Sequence, residues 1–268
     1  MKRKPYPSDL NEAEWQIIQA SIPPAKHGGR PRKVEIREVV NAILYLLRSG
    51  CSWEMLPHDF PPPDTVYYYF KQWRDGKIFE TMNTMLREKL RVASGRNKQP
   101  SAAILDSQSV KTTETRGERG FDAGKKVTGR KRHILVDTMG LLLAIIVHGA
   151  DIQDRDGAKR VLEQARLSFT RLKLIWADGG YAGKLVDWVH ECCQWVLEII
   201  KRNQDVKGFQ VLPRRWVVER TFAWLGRYRR LSKDFEEKTA TSEAMVYLAM
   251  VHIMTRRLAK IPESKMVI

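Results

Sequence analysis

The chain has 268 residues, enough to bury a full core as one large domain or as a small domain joined to a medium one. Lys and Arg number 47 against 31 Asp and Glu, a formal charge of +16, which points to a polyanionic partner because clustered cations bind phosphates and release counterions. No apolar run approaches a membrane span, no apolar stretch follows the basic start MKRKPYPSD, and Cys51, Cys192 and Cys193 make neither a CxxC pair nor an even set, so a membrane protein, a secreted disulfide scaffold and a zinc ribbon are not expected.

The charge is uneven along the chain. Residues 1–101 carry 17 basic against 11 acidic groups and residues 102–230 carry 24 against 15, while the tail from Leu231 carries 6 against 5. The first hundred residues read as helical. Asn11 and Glu14 have capping-box spacing, followed by Trp15, Ile17 and Ile18. Pro23, Pro24, Gly28, Gly29 and Pro31 mark a linker across 22–33. Ile36, Val39, Val40, Ile43, Leu46 and Leu47 recur at helical spacing and predict a helix over 34–48, ended by Gly50. A short helix follows Ser52. Pro61, Pro62 and Pro63 break the chain, and Asp64 or Thr65 is expected to cap a helix over 66–74. Another helix is expected over 79–90.

From residue 102 the pattern changes to strands alternating with helices. Strands are predicted at 102–106, 133–136, 141–147, 172–177 and 195–200, and helices near 157–166, 184–192, 213–229 and 242–258. That order gives a mixed sheet covered by helices.

Asp106 closes the apolar run Ala102-Ala103-Ile104-Leu105, and Asp178 closes Leu174-Ile175-Trp176-Ala177. Two aspartates that each follow a buried strand can meet at one edge of a sheet, where open sheets place their ligands. Glu219 stands on the helix expected from Pro213, one turn after Arg215. Any one of these alone reads as a turn, a cap or a solvated ion-pair partner. Together, three carboxylates suit hard divalent ions such as Mg²⁺, which takes oxygen ligands. Two such ions can serve the attacking and leaving oxygens of a phosphoryl transfer.

These segments carry a resemblance. GRPRK, LLRSGCSWEMLPHDFPP, TVYYYFKQW, ILDSQSVKTT, GRKRHILVDTMGLLL, IWADGGYAG and RRWVVERTFAWLGRYRRL together resemble the DDE transposases of bacterial insertion sequences, in the insertion-sequence-five-like group, over almost the whole chain. The resemblance implies an α/β fold: an RNase H-like mixed sheet with flanking helices, preceded by an all-α helix-turn-helix domain. It implies a helical DNA-binding domain over 1–98, a catalytic domain over 99–232, and a C-terminal helix over 233–268 packed on the core or on a partner subunit. It implies Asp106, Asp178 and Glu219 as catalytic metal ligands for Mg²⁺ or Mn²⁺, with two ions expected. The implied partners are double-stranded DNA, as terminal inverted repeats and target, and further copies of the chain in a dimer or higher synaptic complex. A cytoplasmic, nucleoid-associated protein is expected, with no membrane and, in the absence of a P-loop motif, no ATP. Relatives show Tyr, Arg, Glu and Lys along the Glu helix. Arg215 and Glu219 fit that spacing, whereas Leu212 and Gly226 stand at the Tyr and Lys positions, leaving Arg227 or Arg229 as sources of the missing charge.

Expected DNA contacts are Arg30 and Arg32 on the basic arm, Lys71 and Arg74 on the last helix of the helix-turn-helix, Lys125, Lys126 and Arg130 in a basic segment after Asp106, and Arg215 and Arg227 around the Glu helix. The segment 111–132 holds eight basic and three acidic residues and is equally compatible with a plain basic loop. The helices equally fit a small bundle with a polar side. A nuclease on the same core, cutting without joining, and a DNA-binding protein without chemistry remain alternatives. A tyrosine recombinase and a relaxase do not fit: His252 and Arg256 have the wrong spacing, and no His-x-His occurs.

Overall fold

The structure, a computed structural model, describes residues 3–25, 28, 32–113, 116–200 and 214–262. The chain divides into two compact units. One is Met1–Arg96 with Arg227–Ser232 and Ala244–Ile268; the other is Asn97–Gly226 with Lys233–Glu243.

The first unit is helical. Helix α1 spans Glu12–Ile18, and the Asn11 side chain accepts from Glu14 N while Glu14 reaches back to Asn11 N, which satisfies two backbone donors that a helix start leaves open. Helix α2 spans Ile36–Ser49 and buries Val39, Val40, Ile43, Leu46 and Leu47. Gly50 ends it at φ 77°, a left-handed conformation that favours a residue without Cβ. A single 3-10 turn, Trp53–Met55, stands where a short helix was expected. Helix α3 spans Pro63–Asp75. It starts at a proline rather than at Asp64 or Thr65, because the first helical position has no use for an N–H and proline already holds the helical φ. Helix α4 spans Ile78–Ala93. Arg256 Nη2 donates to Pro7 O, and Arg230 Nη1 donates to Cys51 O, so the returning C-terminal segments are tied into this unit.

The second unit is built on a six-stranded sheet. Strand β1 is Ala102–Lys111, β2 Gly120–Asp122, β3 Val127–Asp137, β4 Leu142–Gly149, β5 Leu174–Ala177 and β6 Val196–Ile199. Strand β3 pairs antiparallel with β1 on one edge and with β4 and β2 on the other. Strands β5 and β6 continue beyond β1, parallel to it. The resulting order β4-β3-β1-β5-β6, three antiparallel strands followed by two parallel ones, is that of an RNase H-like sheet. Parallel strands need crossovers, and helix α5, Asp154–Arg166, and helix α6, Lys184–Cys193, supply them. They cover one face with Ala158, Val161, Leu162, Leu185 and Val189 against Ala103, Leu105, Leu135 and Ile175. Helix α7, Trp216–Leu225, is shorter than the 213–229 expected. Helix α8, Thr239–Leu258, gives its first residues to the sheet unit and the rest to the helical unit. Among the described residues no helix is long and apolar enough to cross a membrane.

Two strands run further than their apolar runs. β1 continues through Ser107-Gln108-Ser109 to Lys111, so Asp106 lies within the strand rather than after it. β3 begins at Val127 and carries Arg130, Lys131 and Arg132 as buried side chains.

Candidate active site

The parallel pairing of β1 with β5 sets Ile104 beside Trp176. Asp106 and Asp178 each lie two residues beyond that pair, so the register brings them to the same level of the sheet. Asp178 caps a single 3-10 turn, Gly179–Tyr181, its carboxylate accepting from Gly180 N at 2.8 Å. Glu219 falls in the first turn of α7. One nitrogen of Arg215, Nη2, lies 3.6 Å from Asp106 Oδ2, 3.3 Å from Asp178 Oδ2 and 3.9 Å from Glu219 Oε1. The three carboxylates thus gather around a single positive charge.

Burial pushes the Asp106 carboxyl up to about 6, and the like charge of Asp178 adds to it, against the opposing pull of Ser107 N–H, Arg215 and Lys125. Like charges brought together in a half-buried place call for a cation, and the donors are all carboxylate oxygens, which suits a hard divalent ion. The carboxylates surround the guanidinium rather than one another: among the described residues no three His, Cys, Asp or Glu side chains stand close enough to share an ion.

Behind β1 lies a polar layer that the sequence did not reveal. Ser107 Oγ donates to Asp154 Oδ1 at 3.0 Å, and Lys131 Nζ lies 3.1 Å from the same oxygen and 3.6 Å from Asp122 Oδ2. His133 Nδ1 is hydrogen-bonded to His148 Nε2 at 2.9 Å. Burial lowers His133 to about 3, with His148 the next cause, so both rings sit neutral. Tyr181 closes the Asp178 turn with its ring in the apolar core.

On α7 the Arg220 guanidinium lies 4.5 Å from the Trp216 ring centre and 4.7 Å from that of Trp224. Trp216, 42% exposed, therefore presents an aromatic face three residues before Glu219.

The expected DNA contacts divide. Lys125 and Lys126 are exposed in the turn between β2 and β3, and Lys125 Nζ reaches Ser107 O at 3.4 Å. Arg130 is corrected. It is 1% exposed, Nη1 donates to Asp234 Oδ1, Glu236 O and Ser242 Oγ, Nη2 donates to Glu237 O and Nε to Glu118 O. These bonds hold the segment leading into α8 against the sheet, and burial keeps the guanidinium from a phosphate. Lys131 and Arg132 are buried beside it, so the basic stretch 127–132 is strand rather than a phosphate-holding loop. In the helical unit Lys71, Arg32 and Lys33 are exposed, and Arg32 and Lys33 border an open groove with Tyr68 and Tyr69 of α3. Arg74 turns along its own helix to Asp75, with Nη2 to Oδ1 at 2.7 Å. Arg227 is exposed, its carbonyl accepting from Arg48. Arg30 and Leu212 lie outside the described residues.

Residues 97–254 match the transposase DDE domain, and residues 10–83 match a family described as putative transposase of IS4/5 family. A putative transposase for insertion sequence element IS402 of Burkholderia cepacia is 28% identical over 148 residues, 51% of this chain and 67% of that protein. An uncharacterized 16.2 kDa protein of the same element and organism is 25% identical over 128 residues, 44% of this chain and 78% of its own length. A crystal structure of the Mos1 mariner paired end complex with Mn aligns over 95% of this chain and 86% of its own at 12% identity, with a TM-score of 0.30 that adds nothing to the strand order given above.

Proposed function

Because the chain belongs to the DDE transposases of insertion sequences, we propose that it binds the terminal inverted repeats of its element, cuts the DNA there, and joins the freed 3′-hydroxyl ends to target DNA. The observation that carries this reading is the convergence of Asp106, Asp178 and Glu219 on one cationic point, from within β1, from just after β5 and from the first turn of α7. Asp106, Asp178 and Glu219 would hold Mg²⁺ or Mn²⁺, one ion or two. Bound there, such ions supply positive charge to the attacking and leaving oxygens of an in-line displacement at phosphorus.

The chain's own residues supply the rest. Arg215, held by three carboxylates, is a fork of donors that suits a phosphate oxygen once DNA enters. Lys125 stands close behind β1 at Ser107 and adds positive charge beside Asp106. In the helical unit Lys71, Arg32 and Lys33 offer charge to the backbone of the repeat, with Tyr68 alongside. Cutting breaks one phosphodiester with water and leaves a 3′-hydroxyl. Joining then exchanges that hydroxyl for the bridging oxygen of a target phosphodiester, so bonds formed equal bonds broken and no nucleotide hydrolysis is required.

The test supplies pre-cut element ends bearing a 3′-hydroxyl, a target plasmid and Mg²⁺ or Mn²⁺. The wild type is expected to give joined product, and Asp178→Ala to give none while still retarding the repeat in a gel. Cleavage of intact ends without joining under every metal and salt condition would replace this reading with a nuclease on the same sheet.

A further inference from the structure

Arg130 and Arg215 belong to the same unit and are held in opposite ways. A buried structural arginine needs its donors met, and those of Arg130 are met by carbonyls, a hydroxyl and the Asp234 carboxylate, with three of the contacts at 2.7 Å. Arg215 keeps only 15% of its side-chain surface, yet it is fitted closely to nothing. Its Nη2 stands 3.6, 3.3 and 3.9 Å from Asp106, Asp178 and Glu219, beyond the roughly 2.7–2.9 Å of a charge-assisted hydrogen bond. Its Nε is buried without a partner. Arg215 therefore lends one positive charge to three negative ones. With the guanidinium among them, no three acidic, His or Cys side chains among the described residues stand close enough to share an ion.

The local backbone aims this side chain. Arg214 is a non-glycine residue at φ 70°, a left-handed conformation that persists only where the surroundings hold it. Strand β5 holds it here. The Arg214 guanidinium lies 4.2 Å from the centre of the Trp176 ring, and Trp176 Nε1 donates to Glu198 Oε2 on β6 at 2.8 Å. Trp176 stands two residues before Asp178. The entry to α7 is thus fastened to the sheet beside the site, and Arg215, the cap residue of α7, turns into the carboxylates. Glu219 follows one turn later, so one helix start brings both a carboxylate of the cluster and the charge that offsets it.

We propose that Arg215 is a resident counter-cation of this cluster, an autoinhibitory contact: it competes with a divalent ion for Asp106, Asp178 and Glu219, and on yielding those oxygens becomes free to meet a DNA phosphate. This rests on the reading of the three carboxylates as metal ligands. It also gives the arginine an order of action, because the charge that offsets the cluster before loading is available to a polyanion only after it.

The experiment uses the full chain without DNA and measures Mn²⁺ binding by the loss of free-ion signal in electron paramagnetic resonance, at fixed pH and salt. A counter-cation predicts that Arg215→Ala binds Mn²⁺ about 10-fold more tightly than the wild type, because a competing charge a few Å away is gone. Arg215→Lys keeps the charge and is expected to bind like the wild type. An arginine that only positions the ligands predicts the reverse, weaker binding in Arg215→Ala. Affinity in Arg215→Ala equal to or below that of the wild type overturns the proposal, and so does an Arg215→Lys variant that binds as tightly as Arg215→Ala. Arg215→Gln supplies the reading if Arg215→Ala does not fold. Failure of both to fold even with Mn²⁺ present also overturns it, because the ion is expected to replace the charge removed. If neither the wild type nor Arg215→Ala binds Mn²⁺, or if Asp178→Ala binds it like the wild type, the metal-ligand reading fails instead, which keeps the two failures apart.

Discussion

Asp106 is held where its charge is unwelcome. Its carboxyl sits at about 6 in the folded chain against an ordinary 3.8, because burial and Asp178 disfavour ionisation more than Ser107 N–H, Arg215 and Lys125 restore it. A carboxyl whose folded value is raised binds its proton more tightly in the native state than in the unfolded one. Stability therefore falls as pH rises from about 4 to about 6 and is flat in this group above that, with a cost on the order of 2–3 kcal/mol. Asp106→Asn cannot ionise. It should be more stable than the wild type at pH 7.5, with the difference shrinking as pH falls from about 6 and gone below about 4, as read from urea midpoints. A variant no more stable at pH 7.5 would mean that Arg215 and Lys125 fully compensate the charge. All three carboxylates were legible in the sequence, because two follow apolar runs and the third follows an arginine by one turn. Ser107, Asp154 and Tyr181 were not, since what they do depends on strand register and on where α5 begins, and neither leaves a mark in the spacing of apolar residues. Arg130 was misread for the opposite reason: a basic residue in a basic run reads as surface until its partner Asp234, far along the chain, is known.

At the scale of elements, α5 carries a test of how tightly the polar layer is packed. An alanine in place of a mid-helix glycine on a free surface gains about 1 kcal/mol. Gly157 is different: a Cβ there would lie 2.3 Å from His133 Cε1 and 2.4 Å from His148 Nε2. Those rings are bonded to each other and are 0% and 1% exposed, so neither can swing aside without losing its partner. Overpacking of this kind costs roughly 1–3 kcal/mol and outweighs the propensity gain. Gly157→Ala should lower the urea midpoint, and an increase would show that the pair relaxes freely. The helix itself was readable from residue 157 onward by its apolar stripe, whereas its start at Asp154 was hidden in the polar run Asp154-Arg155-Asp156. The second half of β1 was hidden likewise, because Ser107 and Ser109 face Asp154 and Asp122 rather than an apolar layer. Strand β2, three residues long, has too little pattern to be found at all.

The order of the chain through the molecule makes the helical unit depend on residues far from its own sequence. It comprises Met1–Arg96 together with Arg227–Ser232 and Ala244–Ile268. Leu248, Val251, His252 and Thr255 of α8 face Leu10, Ile18, Val40, Ile43 and Leu44 across the middle of this unit. The Tyr228 hydroxyl meets His252 Nδ1 at 3.2 Å, and Arg256 Nε lies 3.7 Å from Glu14 Oε1. None of this could be read from the first hundred residues, whose periodic stripes predict helices but not what covers them. A polypeptide of residues 1–96 alone would leave Ile18, Val40, Ile43 and Leu44 open to water. Each such side chain loses about 1.5–3 kcal/mol when exposed, so four together approach the whole stability of a small domain. That polypeptide should show no cooperative thermal transition and no preference for element ends over unrelated DNA. Joining residues 227–262 to it through a flexible linker should restore both, because the linked segments supply the missing face. A cooperative melt from residues 1–96 alone would mean that the N-terminal helices close their own core and that α8 only lies on its surface.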